Sequence, residues 1–226
     1  VVIKFIAKGW NYCHHHSPFW LPPQNFQQSF DPKLIGTDQK YAGSCAFGAQ
    51  NKNNAFIGVD SASFVSWIYN YAFGIHITDL LGDQACGQNA PGKALKLTAK
   101  DIDKLMPGDI IYLSSEEVPT PPAKVLNITH AYIWTGIKAT NDTGHFSLSN
   151  LASNVADIHK PKVQEDIKTL QEKNVPIYAI ADSHSGGPNL RPFAGIYMRN
   201  FAFVRRIVFS ADDLSTNNEG LNYKEE

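Results

Sequence analysis

The sequence has few cysteines, no long apolar run and almost no net charge, and each of these absences excludes something. Three cysteines among 226 residues are too few for a disulfide scaffold, and an odd number cannot pair completely. No apolar run approaches the length of a membrane span, since VVIKFIA at the start is short and is broken by Lys4. With a formal net charge of −1, the chain lacks the excess of positive charge that would indicate binding to nucleic acid or to an anionic membrane.

What is present is enough for a chain that folds around a core. Hydrophobic residues make up 43% of the sequence, and 226 residues suit one large domain or two small ones. Because the sequence begins at Val1 without methionine or a recognisable signal peptide, we expect a processed or trimmed start.

The composition divides the chain into three parts. Residues 1–40 form an arm rich in aromatic residues and proline, which we expect to be irregular because prolines forbid long helices. Residues 41–210 hold the regular patterns, and residues 211–226 form a polar tail. An insertion at about 138–176 lies beside a predicted strand and contains a predicted helix at Val163–Lys173. Surface decoration and a lid or wall over a functional site both fit a segment of this length, and the sequence leaves both open.

The stretch GVDSASFVSWIYNYAFG, from Gly58 to Gly74, predicts a short amphipathic helix. Asp60 is a good N-cap residue, apolar side chains recur behind it at helical spacing, and Gly74 is placed to end the helix. Ser61 therefore falls in the first turn, where backbone N–H groups point outward and the helix dipole favours negative charge. A cysteine there would have its thiolate stabilised, as in thiol hydrolases, yet this chain has a hydroxyl.

Short apolar runs rich in Ile, Val, Tyr and Phe, each bounded by turn residues, predict strands in the second half of the chain. These runs are Asp109–Ser114, His130–Thr135, Ile177–Ala181 and Ala202–Phe209. His130 opens one of them, so we expect its imidazole at the end of a sheet, facing a helix N-terminus. An isolated strand histidine is more often structural, but its position downstream of the Asp60–Ser61 turn favours a general base.

Four segments, taken in order, resemble the NlpC/P60 family of papain-like cell-wall peptidases. In that family the nucleophile segment reads D-C-S-G-[FL]-V at the start of a helix, and Asp60–Val65 matches it with serine in the cysteine position. The other matching segments are LMPGDIIYLSS (Leu105–Ser115), THAYIWTG (Thr129–Gly136), which corresponds to the strand with the catalytic histidine, and NFAFVRRIVF (Asn200–Phe209). Tyr41 in KYAGSCAFGAQ matches a family tyrosine more loosely.

The resemblance implies an α+β, papain-like NlpC/P60 fold, with the nucleophile at a helix N-terminus packed on an antiparallel sheet. It makes residue 61 the nucleophile and His130 the general base, and it places an orienting group at the end of the strand that follows. His184 is favoured as the orienter because it matches the usual residue type. Asp182 is the alternative, since it lies two residues earlier and on the same side of an extended chain.

Other residues near these motifs are open to two interpretations. Tyr41 either places its hydroxyl at the site, as an oxyanion donor or substrate anchor, or is a half-buried tyrosine of the arm. Asp60 caps the helix and lies beside the nucleophile position. The run from Cys13 to His16 invites a metal, but adjacent side chains diverge and no spaced partner ligand is visible. We therefore expect no metal and no organic cofactor.

Ser61 has three explanations under this resemblance. The chain is an inactive Cys-to-Ser form of a cysteine enzyme, or a binding-only relative, or an enzyme with a serine nucleophile. We favour the first explanation because candidates for the base and the orienter remain in place. The third is the least favoured, since a hydroxyl needs a stronger base arrangement than a Cys–His pair.

The implied activity is hydrolysis of amide bonds in bacterial peptidoglycan stem peptides, with D-Glu–diamino acid endopeptidases as the usual form. The alternatives are a non-catalytic peptidoglycan- or peptide-binding protein and an amidase or acyltransferase on the same fold. The expected partners are stem peptides or muropeptides, without nucleic acid or a membrane span. The expected location is secreted, periplasmic or in the cell envelope, and the sequence sets no oligomeric state.

Overall fold

The helix predicted in the stretch Gly58 to Gly74 begins where its capping residue predicts, in a computed structural model that describes residues 59–88, 90–118, 126–184, 187–207 and 223–225. This helix, α1, is Ser61–Phe73. Asp60 Oδ1 accepts the N–H of Ser63 at 2.8 Å, and Gly74 ends the helix in the left-handed conformation with φ of 69°. The predicted helix is thus confirmed, with residue 61 in its first turn.

Six antiparallel strands form the sheet. In chain order they are β1 (Lys93–Leu95), β2 (Ile110–Ser114), β3 (Leu126–Lys138), β4 (Tyr178–His184), β5 (Gly187–Pro192) and β6 (Phe201–Arg206). Their order across the sheet is β1, β6, β2, β3, β4, β5. A further strand in the predicted polar tail, β7 (Tyr223–Glu225), pairs in parallel with the beginning of β3.

The four predicted strands are confirmed as β2, β3, β4 and β6, whereas β1 and β5 carry no strand prediction. The sequence of β5 is GPNLRP, and its two prolines argue against a strand. The position of β5 at the edge of the sheet, paired with β4, explains how the prolines are tolerated. β1 has three residues and lies at the opposite edge.

The other helices in the described ranges are short except for one in the insertion. They are α2 (Leu81–Cys86), a 3-10 turn (Ile102–Lys104), α3 (Leu148–Ser153), α4 (Lys160–Glu172) and α5 (Ile196–Arg199). The helix predicted at Val163–Lys173 is therefore present as α4 and begins three residues earlier, with Pro161 in its first turn. Among the described residues, no helix is long and apolar enough to cross a membrane.

Apolar side chains cover both faces of the sheet. Along β2, Ile110 and Tyr112 pack on the face that α1 covers with Phe64, while Ile111 and Leu113 belong to a second cluster on the opposite face. The two faces are the reason that all five residues of β2 are buried. The fold is thus α+β, with helices packed on a six-stranded antiparallel sheet.

Segments that resemble the NlpC/P60 motifs are joined to one another by hydrogen bonds and close packing at the centre of the sheet. Arg206 of β6 makes two hydrogen bonds of 2.7 Å to the carboxylate of Asp109, which is 1% exposed. Asp109 also accepts the N–H of Trp134 through its backbone carbonyl at 2.8 Å. Gly136 has φ of 70°, and a Cβ there would lie 2.7 Å from Pro107 Cγ. These motif residues therefore have structural roles in joining β2, β3 and β6.

Candidate active site

His130 and Asp182 form a buried hydrogen-bonded pair on two neighbouring strands. The prediction that His130 opens its strand at the end of the sheet is wrong, because β3 begins at Leu126 and its first residues pair with β2 and β7. His130 Nε2 lies 2.6 Å from Asp182 Oδ1, and the side chains are 9% and 0% exposed. His130 comes from β3 and Asp182 from β4, which pair antiparallel. The distance is typical of a charge-assisted hydrogen bond, so the carboxylate fixes the orientation of the imidazole.

Asp182 has two further partners on its other oxygen. The Tyr197 hydroxyl donates to Asp182 Oδ2 at 2.9 Å, and Arg191 Nη1 lies 3.3 Å from the same atom. Burial by itself would raise the pKa of Asp182, but His130 and Arg191 outweigh it and hold the pKa below its ordinary value. Asp182 is therefore ionised at neutral pH, and it must accept the His130 hydrogen bond while Nε2 donates it.

Two more histidines extend the cluster. The rings of His130 and His184 meet edge to face with centroids 5.0 Å apart, and the ring of His159 lies 5.5 Å from that of His184. Burial, with a smaller contribution from His130, lowers the pKa of His184 to about 3, and the same two causes lower the pKa of His159. His184 is consequently neutral at pH 7 and adds no charge to the site.

A hydrogen bond joins the beginning of α1 to the strand that carries Asp182. Ser183 Oγ donates to the carbonyl of Val59 at 2.7 Å, and both residues are fully buried. Side chains alternate along β4, so Ser183 faces the α1 side while its neighbours Asp182 and His184 face the side of His130. Ser61, two residues after Val59 and 5% exposed, follows on the α1 side of the sheet, whereas the side chains of His130 and Asp182 project from the opposite face.

The structure brings together only some of the residues that the sequence predicts for the site. His130, Asp182 and His184 form one cluster, and the hydrogen bond of His130 goes to Asp182, although His184 was favoured as the orienter. Within the described part of the chain, no hydrogen bond joins Ser61 to His130. Asp60 is the N-cap of α1, as predicted.

Predicted features in the first 58 residues lie outside the described residues. They are the arm, Tyr41 and the run from Cys13 to His16. In the ranges that the structure does describe, no group of three or more His, Cys, Asp or Glu side chains is arranged to hold a metal ion.

Tyr197, Arg191 and His159 contact this cluster without having been predicted. Arg191 stands among apolar residues in NLRPFAGIY, and a charge in such a stretch is the one signal that marks it. Tyr197 and His159 approach the cluster from α5 and from the residue before α4, so only the tertiary structure brings them there.

Comparisons with known proteins give no relative for this chain: no family model matches it, and no curated protein matches it. The likeness to the NlpC/P60 segments therefore rests on the sequence motifs alone.

Proposed function

We propose that the protein is a papain-like amide hydrolase of the NlpC/P60 type. Residue 61 occupies the nucleophile position, His130 is the general base, and Asp182 orients it. The substrate class is the amide bonds of peptidoglycan stem peptides, and the place of action is the cell envelope or its exterior. The observation that carries the proposal is the buried hydrogen bond of 2.6 Å between His130 and Asp182.

The tautomer of His130 follows from the ionised Asp182 and suits a general base. Because Nε2 carries the proton that is donated to the carboxylate, Nδ1 has the lone pair that accepts a proton from a nucleophile. The same ring then returns that proton to the leaving amine, while the carboxylate stabilises the imidazolium. Asp182 replaces His184 in the role that the resemblance assigned by residue type.

The N-terminus of α1 supplies the other half of the proposed chemistry. The first N–H groups of a helix have no acceptor within the helix, and Asp60 takes the one from Ser63. Donors in this turn are suited to stabilise the oxyanion of an acyl transfer, and the dipole of α1 favours a thiolate at residue 61. The Ser183–Val59 hydrogen bond holds the approach to α1 against the strand of Asp182, but on the face of that strand opposite to the carboxylate.

The experiment that tests this function restores the thiol. We expect Ser61→Cys to hydrolyse isolated muropeptides while the chain with serine is inert or nearly so. Ser63→Cys is the matched control, because residue 63 is in the same turn, is also buried, and lies about 200° around the helix from residue 61. If neither variant cleaves a broad panel of muropeptides but the chain binds peptidoglycan, a non-catalytic binding protein replaces the proposal.

A serine hydrolase is a second candidate, and the identity of the orienter favours it. Ser61, His130 and Asp182 have the residue types of a Ser-His-Asp triad, and a carboxylate stabilises the imidazolium that a hydroxyl nucleophile requires. A fluorophosphonate probe distinguishes the two candidates. An activated Ser61 would attack phosphorus and expel fluoride while His130 takes the hydroxyl proton. Labelling of Ser61 that His130→Ala abolishes supports this candidate, and a chain that stays unlabelled rules it out.

A further inference from the structure

The insertion at 138–176 forms hydrogen bonds with Arg191 and with the helix that carries Tyr197, the two residues that contact Oδ2 of Asp182. We infer that the insertion positions the catalytic base: it fixes Tyr197 and Arg191, which in turn fix Asp182 against His130. Tyr197 and Arg191 are then positioning residues, and the insertion is a buttress rather than surface decoration or a lid. The description of His130 as a catalytic base rests on the proposed function, but the positioning of Asp182 against His130 can be tested without measuring any enzymatic activity.

Tyr197 is held through the helix of the insertion. Tyr197 lies on α5, which begins after Gly195, and the N–H of Gly195 donates to Asp166 Oδ2 of α4 at 2.9 Å. Arg199 at the other end of α5 donates to the same carboxylate, through Nε at 3.1 Å and through Nη2. Asp166 therefore binds both ends of a four-residue helix and sets where the Tyr197 hydroxyl lies.

Val163 of α4 lies in close contact with Gly195, the residue directly before α5. A Cβ on Gly195 would lie 2.6 Å from Val163 Cγ2, and Gly195 has φ of 61°, so glycine is required on both grounds. Val163 and Ile167 of α4 are buried in a cluster with Ala194, directly before Gly195. The α4 helix thus packs against the segment that leads into α5, whereas a lid would need to separate from it.

Arg191 is held by the other helix of the insertion. It is fully buried, and its Nε donates to the carbonyl of Asn154, at the end of α3, at 2.9 Å. The side-chain amide of Asn154 in turn donates to the carbonyl of Leu190 at 3.0 Å. From this fixed position Arg191 Nη1 donates to the carbonyl of Asp182 at 3.0 Å and stands 3.3 Å from Oδ2. Both the main chain and the side chain of Asp182 are therefore tied to the insertion.

These ties matter because a carboxylate can orient an imidazole only while it is itself prevented from rotating. Asp182 has one oxygen for His130 and one for Tyr197 and Arg191, so loss of the second set frees the carboxylate to turn away. Outer-shell partners of this kind fix the orientation of a functional ligand in metal sites by the same logic. The position of Asp182 is thus set from outside the strand that carries it.

The proton on His130 Nε2 reports directly on this arrangement. Because His130 and Asp182 are buried, we expect that proton to resonate far downfield and to exchange slowly with water in a chain labelled with 15N-histidine. Tyr197→Phe removes one hydroxyl from Asp182 and should move the resonance and speed its exchange by about tenfold or more, as expected for a lost hydrogen bond to a charged group. Tyr112→Phe is the matched control, since that hydroxyl is equally buried but donates to the Gln84 carbonyl on the other face of the sheet.

A second pair of variants tests the insertion itself. Asp166→Ala should move the resonance of the His130 Nε2 proton and speed its exchange, as Tyr197→Phe does. The reason is that Asp166 of α4 fixes α5, and α5 carries Tyr197. Glu117→Ala is its control, because Glu117 also pairs with Arg199, at 3.5 Å. Among the described residues, however, the N–H of Gly195 donates to Asp166 and not to Glu117. If Asp166→Ala fails to fold, the isosteric Tyr197→Phe keeps the inference open to refutation.

The outcomes separate this inference from the proposed function. Equal spectra and exchange rates for Tyr197→Phe and Tyr112→Phe overturn the positioning role of Tyr197. An unmoved resonance in folded Asp166→Ala overturns the role of the insertion. In an active Ser61→Cys background, Tyr197→Phe should lower kcat with little change in KM. Inactivity of Ser61→Cys together with the expected spectra counts against the proposed function and leaves the buttress in place.

Discussion

Replacing Asp182 by asparagine should destabilise the protein strongly, because it removes the carboxylate that pairs with the buried Arg191. Asp182 and Arg191 are both 0% exposed, so solvent screening does not reduce the cost. Removal of one partner from a buried ion pair costs about 3–5 kcal/mol. Since asparagine keeps the shape and one oxygen to accept from Tyr197, we expect a loss near the lower end, about 3 kcal/mol in the free energy of unfolding.

The pH dependence of this loss has a definite sign. The folded pKa of Asp182 is below its ordinary value, so its contribution to stability is complete above that value, about 3.9, and is lost as the pH falls toward the folded pKa. The difference in unfolding free energy between the chain and Asp182→Asn should therefore shrink on going from pH 5 to about pH 3.5, by roughly 0.7 kcal/mol.

Urea unfolding, followed by tryptophan fluorescence, to which the buried Trp134 contributes, measures both quantities. Asp157→Asn is the control, since Asp157 is an acid with a 92% exposed side chain, and we expect it to unfold at the same urea concentration as the unsubstituted chain. A loss below about 1 kcal/mol for Asp182→Asn, or a loss that is equal at pH 5 and pH 3.5, would refute the assignment of Asp182 as a buried, paired anion.

Three further predictions concern other parts of the chain. Gly136→Ala should lower the free energy of unfolding by at least about 2 kcal/mol, measured by thermal unfolding, because it adds a steric clash with Pro107 to backbone strain. Gly74→Ala, where the added Cβ has open space, should cost about 1 kcal/mol. Equal costs would contradict the close contact between Gly136 and Pro107. The thiol of Cys86 should alkylate about a hundredfold more slowly than an ordinary thiol at pH 8, because burial raises its pKa to about 11, and a normal rate would rule this out. Deleting residues up to about Lys33 from the thiol-restored chain should lower its melting temperature and loosen its peptide selectivity; if neither changes, the arm is only a tether.

Local patterns in the sequence were sufficient to predict most of the regular structure. Asp60 and Gly74 delimit α1 because capping is a property of the residues at the helix ends themselves. The β5 strand was missed because its prolines are unfavourable in a strand with two neighbours, and its edge position cannot be read from the sequence. Residues 148–153 form α3 with Ser147 as a cap, but six residues are too few for a helical periodicity to stand out.

The choice between Asp182 and His184 could not be made from the sequence because it depends on packing beyond the two strands. Ile133 pairs with Ala181, and continuing that register sets His130 opposite His184. The hydrogen bond nevertheless runs diagonally to Asp182, since Tyr197 and Arg191 hold that carboxylate in place while burial keeps His184 neutral. The partners that decide the outcome come from α5 and β5, far from the motif that contains His130.

The central claim is that residue 61, His130 and Asp182 act as one nucleophile, base and orienter, and the alkylation rate of Ser61→Cys against pH tests it most directly. Quantifying the modified residue-61 peptide by mass spectrometry separates this thiol from those of Cys13, Cys45 and Cys86. The account predicts an alkylation midpoint well below the value of about 8.5 for a free thiol, and a rise of that midpoint in Ser61→Cys combined with His130→Ala. A midpoint near 8.5 that does not move when His130 is removed would contradict the claim.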